Sequence, residues 1–212
     1  RAGHYVAVID LRCHKDQSDA LLEAVRHKPQ VIGIGAMTVD FKNALEFCHR
    51  IKISGSLSHA TTIIGGVHAS VAPQDAEKSE FVDFIITGEA EWTLTKMLDE
   101  NFIGYERITK GESPDLDSLL PIDREFMDYR NGELQYGVSW CPKAPYITVL
   151  TSRGCPYPCK FCAPVSKTMF GRVRQRSVSH VMSECRWLKW RYKAAYFEFI
   201  DDYFTHNPAY VE

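Results

Sequence analysis

Ser152-Arg153-Gly154-Cys155-Pro156-Tyr157-Pro158-Cys159-Lys160-Phe161-Cys162 sets three thiols in a CxxxCxxC spacing directly after the apolar run Tyr146-Ile147-Thr148-Val149-Leu150. The pattern reads as a strand emptying into a cysteine loop. Gly154 permits an unusual backbone turn while Pro156 and Pro158 stiffen the loop between the first two cysteines, so the thiolates can converge on one soft metal centre. An electron-transfer iron-sulfur cluster takes four cysteines, and structural zinc closes its shell with four protein ligands, so three ligands suggest a position left open for chemistry. A zinc site would have to borrow Cys141, Cys185, His180 or His206, and zinc sites usually build on shorter CxxC pairs. A disulfide framework fits poorly: the cysteine count, 7, is odd, no secretory leader is read at the start, and thiols this close make a poor staple.

With 212 residues, 45% hydrophobic and 25% charged, the chain has an ordinary soluble composition and enough length for one large domain or two small ones. A formal net charge of -2 argues against binding nucleic acid by bulk electrostatics, so none is expected. No apolar run approaches membrane-spanning length, and Arg1-Ala2-Gly3-His4 lacks a signal peptide's apolar segment. A reducing, cytoplasmic setting is the expectation, which also suits free thiols.

Ahead of the cysteine loop, short apolar runs alternate with helical periodicity. Tyr5-Val6-Ala7-Val8-Ile9-Asp10 reads as a strand, followed by a helix with Ala20, Leu21, Ala24 and Val25 on one side. Val31-Ile32-Gly33-Ile34-Gly35 reads as the next strand, and the helix after it carries Phe41, Ala44, Leu45, Cys48 and Ile51 on one face, which makes Cys48 a buried small hydrophobe. Thr61 to Gly66 and Val82 to Gly88 read as two more strands, the last leading into a helix with Leu94, Met97 and Leu98. Such alternation implies a parallel sheet covered on both faces, with ligands beyond the carboxyl ends of the strands. There lie Gly33-Ile34-Gly35-Ala36-Met37-Thr38, Gly65-Gly66-Val67-His68-Ala69 and Thr87-Gly88-Glu89-Ala90-Glu91. Alone these turns are weak signals, since a glycine after a strand often serves only the turn, and no GxGxxG fingerprint opens a helix.

From Asn101 to Ala144 the pattern is broken by Gly104, Gly111, Pro114, Pro121, Gly132 and Pro142, and reads as a short hairpin followed by a linker. Beyond the cysteine loop, Gly171-Arg172-Val173-Arg174-Gln175-Arg176 alternates arginines before Ser177, a helix cap. Val181, Met182, Cys185, Leu188 and Tyr192 mark the buried face of that helix. The arginines either meet a carboxylate or phosphate of a substrate or cofactor, or line a solvated strand face. Ala195-Tyr196-Phe197-Glu198-Phe199-Ile200-Asp201-Asp202 alternates faces as a strand and ends in two acids.

CxxxCxxC with an aromatic just before the last cysteine, Phe161, resembles the signature of the radical S-adenosylmethionine superfamily, and SRGCPYPCKFC resembles the form found in its cobalamin-binding branch. The order of GIGAMT, GGVHAS and TGEAEWTL resembles the cobalamin-binding domain of that branch. Leu119-Leu120-Pro121-Ile122-Asp123-Arg124 resembles its interdomain segment, and Ala195 to Asp202 its second barrel strand, so the resemblance covers nearly the whole chain. It implies a 4Fe-4S cluster on Cys155, Cys159 and Cys162, with S-adenosylmethionine on the fourth iron and Phe161 near the adenine. Glu198, Asp201 and Asp202 become candidates for its ammonium or ribose, with a structural ion pair as the competing role. Cobalamin would lie along Met37, Thr38, Gly65 and Gly66. His68 is not assigned to the cobalt; the DxHxxG motif of other cobalamin domains is absent, and Gly35 stands where they often carry serine.

The implied fold is α/β: a Rossmann-like (flavodoxin-like) parallel cobalamin-binding domain over residues 1–104, a hairpin and interdomain linker over 105–144, and the first β-α-β unit of a partial TIM-type radical SAM barrel over 145–212. An eight-unit barrel takes about 250 residues, so the barrel is expected to be incomplete here, the first strand of the cobalamin domain to lie upstream, and this chain alone to be inactive. The activity the resemblance implies is reductive cleavage of S-adenosylmethionine to a 5'-deoxyadenosyl radical, followed by methyl transfer to an unactivated carbon. An oxidative cyclase of the anaerobic magnesium-protoporphyrin ester type is the alternative within the branch. A radical methylthiotransferase would bring three further cluster cysteines, an arrangement that Cys13 and Cys48 lack. From a different class, a non-catalytic metal-binding or redox-sensing module stays open. Expected partners are a small-molecule, natural-product, lipid or tetrapyrrole substrate and an electron donor such as flavodoxin or ferredoxin.

Overall fold

Asp16 starts the first helix by accepting hydrogen bonds from the backbone N–H groups of Ser18 and Asp19 at 2.7 and 3.0 Å, the N-cap arrangement that satisfies otherwise orphaned donors. Helix α1, Gln17–His27, buries its small residues Ala20 and Ala24 and ends at Lys28, whose φ of 48° is left-handed. The computed structural model describes residues 3–11, 14, 16–124, 146–160 and 165–211. The chain divides into two units, Arg1–Pro114 with Ala163–Met169, and Asp115–Cys162 with Phe170–Glu212.

In the first unit the β-branched runs form strands β1 Val31–Gly35, β2 Thr61–Gly65 and β3 Phe84–Thr87, and a short β4, Ile108–Lys110, completes a sheet of order β1-β2-β3-β4. Each neighbouring pair is parallel, with Gly35 opposite Gly65, so the carboxyl ends of the strands fall on one edge. Helices α2 Phe41–Ile53, α3 Val67–Val71, α4 Pro73–Glu77 and α5 Glu91–Asp99 connect them. Alternation along the strands divides the packing. Ile64 and Ile85 meet Phe41, Ala44, Cys48, Ala69 and Ala76, whereas Ile63 and Ile86 meet Met97 of α5. Both faces are therefore covered, which is why the strands read as nearly continuous apolar runs.

Two expectations differ from what the fold shows. Tyr5 to Asp10 is not a strand: it has no regular structure, Tyr5 is 80% exposed, and only Ile9 packs against a core, that of Ala20, Ala24, Phe47, Ile51 and Leu57. The region after Asn101 does not open as a hairpin, because Ile108–Lys110 pairs parallel to β3. Three residues flanked by Gly104 and Gly111 are too few to show alternation. Residues 125–145 lie outside the described residues.

In the second unit β5, Tyr146–Val149, pairs in parallel with β8, Tyr196–Phe199. Between them in sequence come a two-stranded antiparallel ribbon of β6, Ser152–Arg153, and β7, Arg174–Gln175, and helix α7, Val178–Tyr192; α6, Val165–Phe170, also falls between them in sequence but belongs to the first unit as far as Met169. Ser177 caps α7, its hydroxyl accepting from His180 N. Ile147, Val149, Val181, Cys185, Leu188 and Ala194 form the core, with Phe197 packed against it. The parallel pair joined through α7 is one β-α-β unit, and α8, Pro208–Val211, comes after it.

Candidate functional site

The cysteine loop leaves β5 through a tightly held root. Thr151 and Ser152 are buried, and Asp201, just past β8, holds them both. Its Oδ1 accepts from Thr151 N at 3.1 Å and Thr151 Oγ1 at 2.8 Å, and from the Ser152 hydroxyl. Gly154 comes next with φ 92°, and a Cβ there would stand 3.0 Å from the carbonyl oxygen of Arg172, so both conformation and space demand glycine. Cys155 is half-buried and Cys159 exposed, and both are free thiols. Tyr157, between them, meets Tyr203 edge-on at 5.2 Å, and the hydrogen bond to Tyr203 raises its phenol above the ordinary range.

Cys162 and Phe161 lie outside the described residues. Among the described residues no three His, Cys, Asp or Glu side chains form a metal-holding group. The donors that are described fit an iron-sulfur cluster: two unpaired, reachable thiols on a loop stiffened by prolines, soft ligands of the kind iron and sulfide take. The remaining described cysteines do not compete. Cys48 and Cys185 are buried; burial pushes the Cys48 thiol up to about 12 and raises that of Cys185.

Of the three acids singled out, Asp201 is committed to the loop root by the bonds above. Glu198 is half-buried and stands opposite Thr148 in the β5–β8 register. Because Ile147, Val149 and Phe197 face the core under α7, Thr148 and Glu198 lie on the other face of this strand pair. Asp202 is exposed at the end of β8.

Sequence reasoning did not find the charged group behind the root. Glu184, on α7, is 5% exposed and Arg124 likewise 5%. Arg176 Nη2 lies 2.6 Å from Glu184 Oε2, and Arg124 Nη1 lies 3.6 Å from Oε1, an ion-pair distance beyond hydrogen-bond reach. The arginines also act on the backbone of β5: Arg124 Nη2 donates to Thr148 O at 2.6 Å and Arg176 Nη1 to Leu150 O at 2.8 Å. Val149 O accepts from Ile200 N on the β8 side; its neighbours point the opposite way, so the guanidinia occupy acceptors on the other edge of β5. Of the alternating arginines, then, Arg176 meets a carboxylate of its own chain. The available signal was Arg124 at the end of Leu119-Leu120-Pro121-Ile122-Asp123-Arg124.

In the first unit, Met37, Thr38, Gly65 and Gly66 come together at the carboxyl edge of the sheet. Met37 is 60% exposed. Gly66 has φ 89° and ψ -163°, and a Cβ there would meet Ala36 N at 3.0 Å and Ala36 O at 3.1 Å. At Gly65 the nearest atom to a Cβ is Ile86 O at 3.5 Å, an ordinary contact. His68 is held within the protein: its ring packs against Phe41, tilted by 33° with centroids 3.9 Å apart, Nδ1 meets the Thr38 hydroxyl at 3.2 Å, and Nε2 lies 3.4 Å from Asp75 Oδ2. An edge of bare glycine backbone beside an exposed Met37 fits a bulky planar group such as a corrin.

Comparison with known proteins agrees with both halves. Residues 1–98 match the family model of the B12 binding domain. An uncharacterized methyltransferase of Pyrococcus horikoshii is 28% identical over 98% of this chain and 47% of its own length. The hopanoid C-3 methylase of Methylococcus capsulatus is 28% identical over 89% of this chain and 38% of its own. The structure of the radical S-adenosylmethionine methyltransferase TsrM from Kitasatospora setae, with tryptophan substrate and a SAM analogue bound, superposes with a TM-score of 0.68 at 19% identity, covering 98% of this chain and 44% of that one. The chain thus spans less than half the length of these proteins. No helix among the described residues is long and apolar enough to cross a membrane. A B12-binding match over residues 1–98, a cysteine loop leaving the first strand of a β-α-β unit, and relatives that align across both make this chain similar to cobalamin-binding radical S-adenosylmethionine proteins.

Proposed function

We propose that the protein carrying this chain is a cobalamin-dependent radical S-adenosylmethionine methyltransferase acting on an unactivated carbon of a small-molecule, lipid or tetrapyrrole substrate. The observation that carries the reading is the combination, in one chain, of the CxxxCxxC loop on the end of β5 with a match to the B12 binding domain. Residues 1–104 would serve as the cobalamin module, 105–144 as the linker and 145–212 as the opening of the barrel.

Cys155, Cys159 and Cys162 would hold the cluster, with Phe161 beside the adenine of the cosubstrate. When bound, the cluster with S-adenosylmethionine supplies a 5'-deoxyadenosyl radical, and cobalamin supplies a transferable methyl group. The protein's own work is positional. Asp201 and the two guanidinia fix where the loop departs from β5, so the thiols start from a defined place. Glu198, on the strand face away from α7, and Asp202 would be the acids to meet the cosubstrate's ammonium or ribose, while Asp201 orients the loop. Met37, Thr38, Gly65 and Gly66 would line the corrin's groove. The same reading sets the protein in the cytoplasm, reduced by a flavodoxin or ferredoxin.

Anaerobic reconstitution of the full-length protein tests this. A 4Fe-4S absorbance, bound corrin, 5'-deoxyadenosine formation and transfer of a deuterated methyl group from S-adenosylmethionine are expected together. Cys155→Ala should abolish the deoxyadenosine and leave the corrin bound. Radical formation with no methyl transfer to any product would replace methylation by oxidative cyclisation, and zinc bound with none of these signals would reduce the protein to a metal-binding module.

A further inference from the structure

Two arginines sharing one carboxylate inside a protein are an unusual investment. A buried ion group loses hydration that its internal attraction only partly returns, and well-packed apolar residues often serve stability as well or better. Here the group has a definite address. Arg124 comes from the segment before β5, Arg176 from the residue after β7 and Glu184 from α7, and the arginines end on the carbonyls of Thr148 and Leu150. Arg176 also donates its backbone N–H to Thr151 O at 2.9 Å. Cys155 lies four residues beyond Thr151, at most about 14 Å of extended chain.

Within this trio two guanidinia face one carboxylate, and the Asp201 carboxylate on Thr151 and Ser152 offsets the second guanidinium. Being buried, the three charges of the trio are screened far less than surface charges, so removing any one of them shifts the field at the loop. The potential of an iron-sulfur cluster depends on the net charge around it, and a cluster on three thiolates becomes more negative on accepting an electron.

We propose that Arg124, Glu184 and Arg176 are positioning residues that both fix the root of the cysteine loop and tune the reduction potential of the cluster that the loop carries, each guanidinium raising it and the carboxylate lowering it. This rests on the cluster assignment above. The two parts can be told apart because charge has a sign and distortion does not.

The test is an anaerobic redox titration of the cluster by electron paramagnetic resonance in the full-length protein. Glu184→Gln removes a negative charge and should move the midpoint upward. Arg124→Gln removes a positive charge and should move it downward. The double variant keeps the wild-type net charge and should return the midpoint to the wild-type value. Charge-conserving Arg124→Lys, which disturbs geometry alone, should leave it unchanged. The measurement reads only molecules that have folded and taken up a cluster. If a single variant yields none, the double variant decides: a wild-type midpoint supports the proposal and a shifted one overturns it. Shifts of the same sign in both single variants, or no shift in either, also overturn it. If the wild-type protein forms no cluster at all, the cluster assignment has failed, and not this inference from it.

Discussion

Gly65 and Gly66 adjoin each other at the sheet's carboxyl edge, yet alanine should affect them differently. At Gly66, φ 89° with ψ -163° falls in a region essentially reserved for glycine, and forcing an L-residue there costs about 1–3 kcal/mol. The new methyl would also stand 3.0 and 3.1 Å from two backbone atoms of Ala36, which cannot swing aside as a side chain can. Overpacking of this kind adds about 1–3 kcal/mol. Since relaxation relieves both together, a net loss of about 2–4 kcal/mol is expected, a large share of a typical domain's stability. At Gly65 the backbone is not left-handed and the methyl would meet only Ile86 O at 3.5 Å, so Gly65→Ala should be neutral or stabilising by about 0.4–1 kcal/mol. Urea denaturation of both variants, paired with corrin titration by absorbance, separates fold from ligand. If Gly65→Ala keeps its stability but loses corrin affinity, Gly65 is there to let the cofactor approach the backbone. A Gly66→Ala midpoint within error of wild type would refute the strain argument.

In metal-free protein, native alkylation at pH 8 should label Cys155 and Cys159 and spare Cys48 and Cys185, as mass spectrometry would show; rapid labelling of Cys48, whose thiol is pushed up to about 12, would contradict its burial. Asp201→Ala removes hydrogen bonds from a charged acceptor, each worth about 1.5–3 kcal/mol, so it should lower both the thermal midpoint and the iron bound per chain, with Asp201→Asn recovering part of each. Burial works against ionisation of Asp83, but the Lys52 ammonium at 2.6 Å and the N–H and hydroxyl of Thr62 outweigh it and hold the carboxyl below its ordinary range. A depressed carboxyl stabilises the fold above its unfolded-state pKa and loses that contribution as pH falls through the lower folded value. Acid titration of stability should therefore be steeper in wild type than in Asp83→Asn, most clearly below about pH 4.

The sheet was legible where strands are buried on both faces. Thr61 to Gly65 and Val31 to Gly35 announce themselves because every second residue has an apolar neighbour on each side. Tyr5 to Asp10 carries much the same composition and reads the same way, but a strand needs a partner, and no pattern within six residues reveals whether one exists. The opposite failure occurs at β4, where three residues find a partner in β3 without any pattern to advertise it. Side-chain roles were less visible still. Arg176 was noticed for its charge, but its partner Glu184 is hidden on the inner face of a helix otherwise marked by Val181, Cys185 and Leu188. An acid after a strand, such as Asp201, looks the same in sequence whether it turns to a ligand or to its own backbone. Gly66 was marked for the closeness of a cofactor, and Ala36 of its own chain already requires it.

The backbone leaving β5 shows where this unit has placed its order. Thr148 O accepts from Arg124, Val149 O from Ile200 N, Leu150 O from the Arg176 side chain and Thr151 O from Arg176 N, while Thr151 N donates to Asp201. Four successive carbonyls are thus satisfied from three directions, and the chain can depart only one way. A few residues later the situation reverses: Cys159 is exposed and neither described thiol of the loop is bonded to another. Under the proposed assignment the loop would gain its remaining stability from the cluster, since binding free energy is realised as folding free energy when a site is incomplete without its metal. The division comes from what each part must do. A root that could shift would move all the thiols together, and no ligand–metal bond could correct that, whereas thiols free to adjust can close on a cluster once the root has aimed them. Substitutions at Arg124, Arg176 or Asp201 should accordingly lower the fraction of chains that retain a cluster, more than they alter the cluster's spectrum once it is bound.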